Sequence, residues 1–233
     1  MPLLKRQAVA PRAIDPADWR PQIVGRKGNH SIKDPIIEPN WGGVRVIVRV
    51  GPTPEGSSAA TVFDEDGADS TAEFAELAQA IASAADADEL VLDGYLTVEP
   101  TQITGTVGTD LVSTPTPSQV LQQFVVGIRR HQSDPRPQLD PERPIAFVAV
   151  DLLLIDGQSL IDLPLLERKR LLETALKANA VVRITPYVRS PVGSLAMTWH
   201  AQGFRELVYK PANGRYRAAG EPSDWVVVPI RPH

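Results

Sequence analysis

The chain has 233 residues with 24 Lys+Arg against 28 Asp+Glu, a formal net charge of −4, no cysteine and 22 prolines. Without cysteine, disulfides, thiolate metal sites and cysteine nucleophiles are excluded. The acidic balance argues against a basic nucleic-acid coat, and no apolar run approaches the roughly 18 residues of a membrane span. The N-terminus has Lys5 and Arg6 but no apolar core of a secretory signal, so a cytoplasmic protein without a membrane partner is expected.

Charge is unevenly placed. Residues 1–33 carry +5, residues 34–100 carry −12 and the remainder carries +3. From residue 183 to 217, Arg183, Arg189, Arg205, Lys210, Arg215 and Arg217 face only Glu206, a stretch able to attract phosphates or simply to be solvated.

Residues 1–34 read as an N-terminal arm punctuated by Pro11, Pro16, Pro21 and Gly28, and residues 35–233 as one domain. Val44 to Val50 alternates, with Val44, Val46, Val48 and Val50 on one face and Arg45, Ile47 and Arg49 on the other. A Pro/Gly/Ser hairpin loop leads to a short strand near Thr61 to Phe63 and the turn Asp64-Glu65-Asp66-Gly67. Ser70 and Glu73 form a capping-box pair for a first helix, whose stripe is Phe74, Leu77, Ala78 and Ile81. Glu89 to Val98 is a strand, and residues 101–115 a loop. A second helix begins at Thr116-Pro117 and ends near Arg129-Arg130, before a polar loop over residues 131–144. Ile145 to Ile155 is a central strand closed by an Asp156-Gly157 turn. A helix spans Pro164 to Ala178, another runs from Pro191 to Gln202 with Ser190 as cap and Gly203 as terminator, and short strands follow at Glu206–Lys210 and Trp225–Ile230. The inventory predicts one mixed α+β domain.

His30, His131, His200 and His233 have no ligand spacing, and there is no dinucleotide-binding glycine fingerprint, Walker A loop or nucleophile elbow. Three carboxylates sit in apolar contexts: Glu38, Asp93 beside Gly94, and Asp151 within the central strand. Paired carboxylates suit Mg²⁺ in phosphoryl transfer. A turn at Asp93-Gly94 and hydrogen bonds at Asp151 come ahead of that role, since buried polar groups normally find such partners. Lys210, in Glu206-Leu207-Val208-Tyr209-Lys210, needs an anion, with a phosphate or a carboxylate such as Asp151 as the candidates.

Together these segments resemble the nucleotidyltransferase (adenylation) domain of ATP-dependent DNA ligases, particularly the bacterial repair type. Glu38-Pro39-Asn40-Trp41-Gly42-Gly43-Val44-Arg45 is similar to the motif Glu-Pro-Lys-Trp-Asp-Gly-x-Arg. Gly67, Asp69, Thr71, Phe74, Glu76 and Leu77 match the next conserved stretch, and Leu90–Val98 resembles the strand ending Asp-Gly-Glu. Ala149–Gly157, Leu165–Glu173, Gly203–Lys210, Tyr216, Gly220 and Trp225 follow in the family's order. The resemblance spans Glu38 to Val228 and implies an ATP-grasp-like α+β fold, two antiparallel sheets flanking a cleft with helices around them. It also implies an OB domain beyond the adenylation domain, and this chain ends at His233.

The resemblance further implies a lysine that attacks the α-phosphate of ATP, and Asn40 stands there. A carboxamide nitrogen is delocalised into its carbonyl and is no substitute for an amine. Gly42 replaces the motif's aspartate, Glu65 an arginine, Tyr95 the glutamate after Asp93-Gly94, and Val150 the adenine-stacking aromatic. Arg205 and Glu206 replace a Glu-Gly pair, and Val227 and Pro229 the two triphosphate lysines. Arg45, Asp93, Asp151 and Lys210 are retained and are the cleft or phosphate-facing candidates; Arg215 and Arg217 are the DNA-contact candidates. The reading is a degenerate ligase-like domain, without resident cofactor or metal, acting as a binding or regulatory module with DNA or a DNA-repair protein as partner. The rivals are an enzyme that uses ATP and Mg²⁺ by another route, a noncovalent nucleotide or DNA binder, and a protein-binding scaffold.

Overall fold

The computed structural model describes residues 15–98 and 144–231. The second helix, the loop expected at residues 101–115 and all but the last residue of the loop expected at 131–144 lie outside them.

The larger sheet has the order β4-β3-β5-β6-β7, with β8 parallel to β6 and the other pairs antiparallel. Its strands are β3 (Val44–Pro52), β4 (Ser58–Phe63), β5 (Leu90–Thr97), β6 (Ala146–Ile155), β7 (Gln158–Ser159) and β8 (Val182–Ile184). The alternation read from the sequence holds. Val44, Val46, Val48, Val50, Leu90, Leu92 and Leu96 enter one core with Phe74, Leu77, Ala78 and Ile81, the stripe that helix α1 (Ala75–Ala84) and its entry turn lay on the sheet. Asp156 and Gly157 both have positive φ, as a two-residue hairpin turn requires, and Asp156 Oδ1 also accepts the N–H groups of Asp88 and Glu89 at 3.0 Å.

The smaller sheet has the order β1-β11-β10-β2-β9. It comprises β1 (Arg26–Lys27), β2 (Pro35–Pro39), β9 (Val188–Arg189), β10 (Glu206–Pro211) and β11 (Val226–Pro229), antiparallel except for β1 on β11. From residue 15 on, the stretch read as an arm lies on this framework. Trp19 is buried, Arg20 and Ile23 bridge Ala219 and Pro222, and β1 extends the sheet. The sheets meet where Ile37, Leu207 and Tyr209 pack with Tyr95, Val148 and Val150, closed over by Trp41, Trp199 and Phe204. Among the described residues, no helix is long and apolar enough to cross a membrane.

Two caps differ from expectation. Ser70 caps only a 3-10 turn (Thr71–Phe74) and makes no side-chain bond there. Asp69 does the capping, accepting from Thr71 N–H at 2.8 Å and its hydroxyl at 2.6 Å, because a carboxylate two residues back reaches both donors. Helix α3 (Gly193–Ala201) starts after Val192 without a side-chain cap, so Ser190 is not its cap; Gly203, at φ +100, does terminate it. Helix α2 runs from Leu165 to Ala175.

A Cβ on Gly94 would stand 2.3 Å from the Phe147 ring and 2.6 Å from the Val148 carbonyl oxygen. Gly94→Ala is therefore expected to destabilise the domain by about 1–3 kcal/mol through overpacking, measured as a lowered urea midpoint at unchanged slope.

Candidate functional site

Between the sheets, the three carboxylates singled out in the sequence each meet cations. Register places Asp93 of β5 directly opposite Asp151 of β6, so Asp93 is a mid-strand residue and not the turn residue expected beside Gly94. Two carboxylates at this spacing repel unless each has its own counter-ion. Arg45 of β3 supplies one, with Nε 3.2 Å from Asp93 Oδ1 and Nη2 in close contact with Oδ2; the Tyr216 hydroxyl donates to Oδ2 at 2.7 Å. Arg168 of α2 supplies the other, two-pronged, at 2.8 Å and 2.7 Å from Asp151. Burial works against the Arg45 charge, but Asp93, Tyr95 and Tyr216 together hold the guanidinium pKa above its ordinary value. The Tyr216 hydroxyl is pushed well above the usual phenol range by burial and by Asp93.

Glu38 of β2 is shared. Lys210 of β10 donates to its Oε2 at 2.6 Å, and Lys169 of α2 lies 2.5 Å from its Oε1 in an ionic contact without hydrogen-bond alignment. The Lys210 ammonium also sits 3.9 Å from the Trp225 ring centroid, a cation–π contact. The anion expected for Lys210 is thus Glu38 rather than Asp151, because β2 is its hydrogen-bonded neighbour while Arg168 claims Asp151. The Lys169 pKa is lowered to about 8, first by burial and then by Lys210, against the attraction of Glu38.

Asn40 follows β2, and its carboxamide donates to Glu206 Oε2 at 2.8 Å while its backbone N–H bonds the Glu206 carbonyl at 2.9 Å. Trp41 is buried and donates to Thr185 Oγ1 at 2.9 Å. Tyr95 and Val150 are buried among the apolar residues joining the sheets, and the Arg45 guanidinium lies 4.9 Å from the Tyr95 ring centroid. Val227 packs with Val208 and Trp225. Gly42, Glu65, Arg205 and Pro229 are exposed. Arg215 and Arg217 are exposed and only loosely paired, 3.5 Å from Asp162 and 3.6 Å from Asp224.

The fold therefore gathers Glu38, Arg45, Asp93, Asp151 and Lys210, and adds Arg168, Lys169, Tyr216 and Gln22. Gln22 is buried; its carbonyl accepts from Arg45 at 3.0 Å and its N–H donates to Tyr216 at 2.9 Å. Arg168 and Lys169 are not among the sequence candidates, although a signal for them exists. Leu165, Arg168, Lys169, Leu172 and Ala175 are buried at helical spacing, so two cations occupy an apolar stripe. Among the described residues, no group of three or more His, Cys, Asp or Glu is placed to hold a metal ion.

Known proteins show the same framework. The family model described as ATP dependent DNA ligase domain matches residues 27–226. The ligase domain of M. tuberculosis LigD superposes with a TM-score of 0.61 at 18% identity, over 92% of this chain and 60% of that one. A mycobacterial DNA ligase D complexed with ATP and MES gives 0.60 at 19% identity, over 93% of this chain and 62% of that one. The chain thus spans about three-fifths of each. No curated protein sequence matches it.

Glu38→Gln leaves two buried ammonium groups facing each other without their counter-charge. A loss of about 3–5 kcal/mol is expected in urea unfolding, against less than about 1 kcal/mol for Arg189→Ala, which breaks the exposed pair with Asp34.

Proposed function

The chain belongs to the ATP-dependent DNA ligase domain family, and from that membership we propose that it is a ligase-like adenylation fold that forms no lysyl-AMP and serves as a binding or regulatory module, with DNA or a DNA-repair protein as partner. The observation that carries this reading is Asn40, a carboxamide held by Glu206 at the place where the resemblance puts an attacking amine. Its nitrogen lone pair is delocalised, and no neighbouring base restores nucleophilicity to an amide.

The surroundings support the same reading. Every oxygen of Asp93, Asp151 and Glu38 already has a cationic partner, which leaves these groups poorly suited to Mg²⁺. Val150 offers no aromatic face to an adenine, and Tyr95 packs among apolar neighbours. These residues do not fit ATP with Mg²⁺.

A DNA partner would meet the exposed Arg215 and Arg217 rather than the candidates Arg45 and Lys210, whose charges are turned inward. Replacing either exposed arginine with alanine is then expected to weaken binding to nicked duplex uniformly across sequences and to reduce the salt slope by about one.

Incubation with labelled ATP and divalent metal, followed by denaturing electrophoresis and mass spectrometry, is expected to show no covalent nucleotide. A stoichiometric adduct on any lysine overturns the proposal, and Lys169, with its lowered pKa, is the first place to look.

A further inference from the structure

Helix α2 is tied to both sheets by consecutive residues. Arg168 engages Asp151 of β6 in the larger sheet, and Lys169 engages Glu38 of β2 in the smaller one. The helix start is fixed independently: the N–H groups of Leu165 and Leu166 bond the carbonyls of Gly214 and Ala212 at 3.0 Å, and Leu165 packs with Ile36 and Ala212. The two attachments are electrically unlike. Arg168 and Asp151 balance one to one, whereas Lys169 and Lys210 divide a single carboxylate.

We propose that the Lys169–Glu38–Lys210 triad is a proton-operated latch joining α2 to the smaller sheet, strained by surplus positive charge when Lys169 is protonated and relaxed when it releases that proton. The groups that face Lys169 define the balance. Glu38 from β2 attracts the ammonium and Lys210 from β10 repels it; Asp151 from β6 attracts it more weakly and is largely compensated by Arg168. The Tyr187 ring, before β9, lies 5.7 Å from the Lys169 nitrogen. All of these groups but Tyr187 are buried, so solvent screens the repulsion little.

Release of the proton leaves one ammonium and one carboxylate, with a neutral amine in place of the second positive charge. The folded chain therefore holds this proton less tightly than the unfolded chain, in which a lysine titrates near 10.5 and not near 8. Between those values the unfolded state binds more protons, so stability increases with pH. Burial raises the pKa of Tyr95, Tyr187, Tyr209 and Tyr216 in the folded chain, so their contribution is opposite in sign to that of the latch and sets in only as pH nears about 10, where unfolded tyrosines ionise. This holds whether or not the domain takes a nucleotide.

The test is urea unfolding of the full chain between pH 7.5 and 9.5, beside Lys169→Met and Lys210→Met. The wild-type folding equilibrium constant is expected to rise on the order of tenfold across that range. Lys169→Met is expected to remove the rise and, at pH 7.5, to equal or exceed wild-type stability. Lys210→Met, which leaves a balanced Lys169–Glu38 pair, is expected to flatten the profile. A wild-type profile that is flat or falls, or a rise that survives in Lys169→Met, overturns the proposal. Should a variant fail to fold, nitrogen-detected NMR of the lysine side chains in the wild type decides: one amine titrating near pH 8 is expected, and none below pH 10 overturns it.

Discussion

Four cations and three carboxylates leave water together when this domain folds: Arg45, Arg168, Lys169 and Lys210 with Glu38, Asp93 and Asp151. The desolvation of each ion costs several kcal/mol, which mutual attraction offsets only when the geometry is good and the remaining lone pairs are bonded. The arrangement meets that condition at Asp93 and Asp151, where fork-shaped guanidinium groups cover both oxygens. It meets it less well at Glu38, where two point charges share one group. The positions of β2, β3, β5, β6, β10 and α2 are bound to one another through this network, so a displacement of any of them exposes an uncompensated charge.

The segment before β1 belongs to the same constraint. Arg45 has more donors than Asp93 can accept, and the Gln22 carbonyl takes one. The Tyr216 hydroxyl donates to Asp93 while receiving the Gln22 N–H, and the Gln22 side chain accepts the Arg217 N–H at 2.7 Å. Residues with little hydrophobic periodicity are thereby held in place by polar satisfaction, with Trp19 adding apolar contact in a core shared with Ile47, Val91 and Leu153. Their order follows from what they complete, since unpaired donors in a buried site are costly.

This explains how much was legible in the sequence. Strands β3, β5 and β6 and the α1 stripe announce themselves by period, and the structure keeps those faces. Strand β2 does not, because Pro35-Ile36-Ile37-Glu38-Pro39 is buried throughout and bounded by prolines; a strand covered on both faces has no alternation to read. Strands β1, β7 and β9 have two residues each and exist only through their neighbours. The candidate site was half legible. The apolar settings of Glu38, Asp93, Asp151 and Lys210 mark buried charge, but the partners come from across the sheet or from α2, and pairing over such separations is set by strand order, which periodicity does not encode.

Retention of Arg45, Asp93, Asp151 and Lys210 therefore carries less chemical information than their alignment with an adenylation domain suggests. Each has a buried counter-charge whose loss would unsettle the sheets, so the fold alone is reason enough to keep them. Asn40 is different in kind: it lies beside the network, bonds only Glu206 among the described groups, and its residue type is not dictated by any buried charge. The residue on which the proposed loss of lysyl-AMP formation rests is thus one that no buried charge holds in place, whereas the residues that look most like an active site are those the buried network requires.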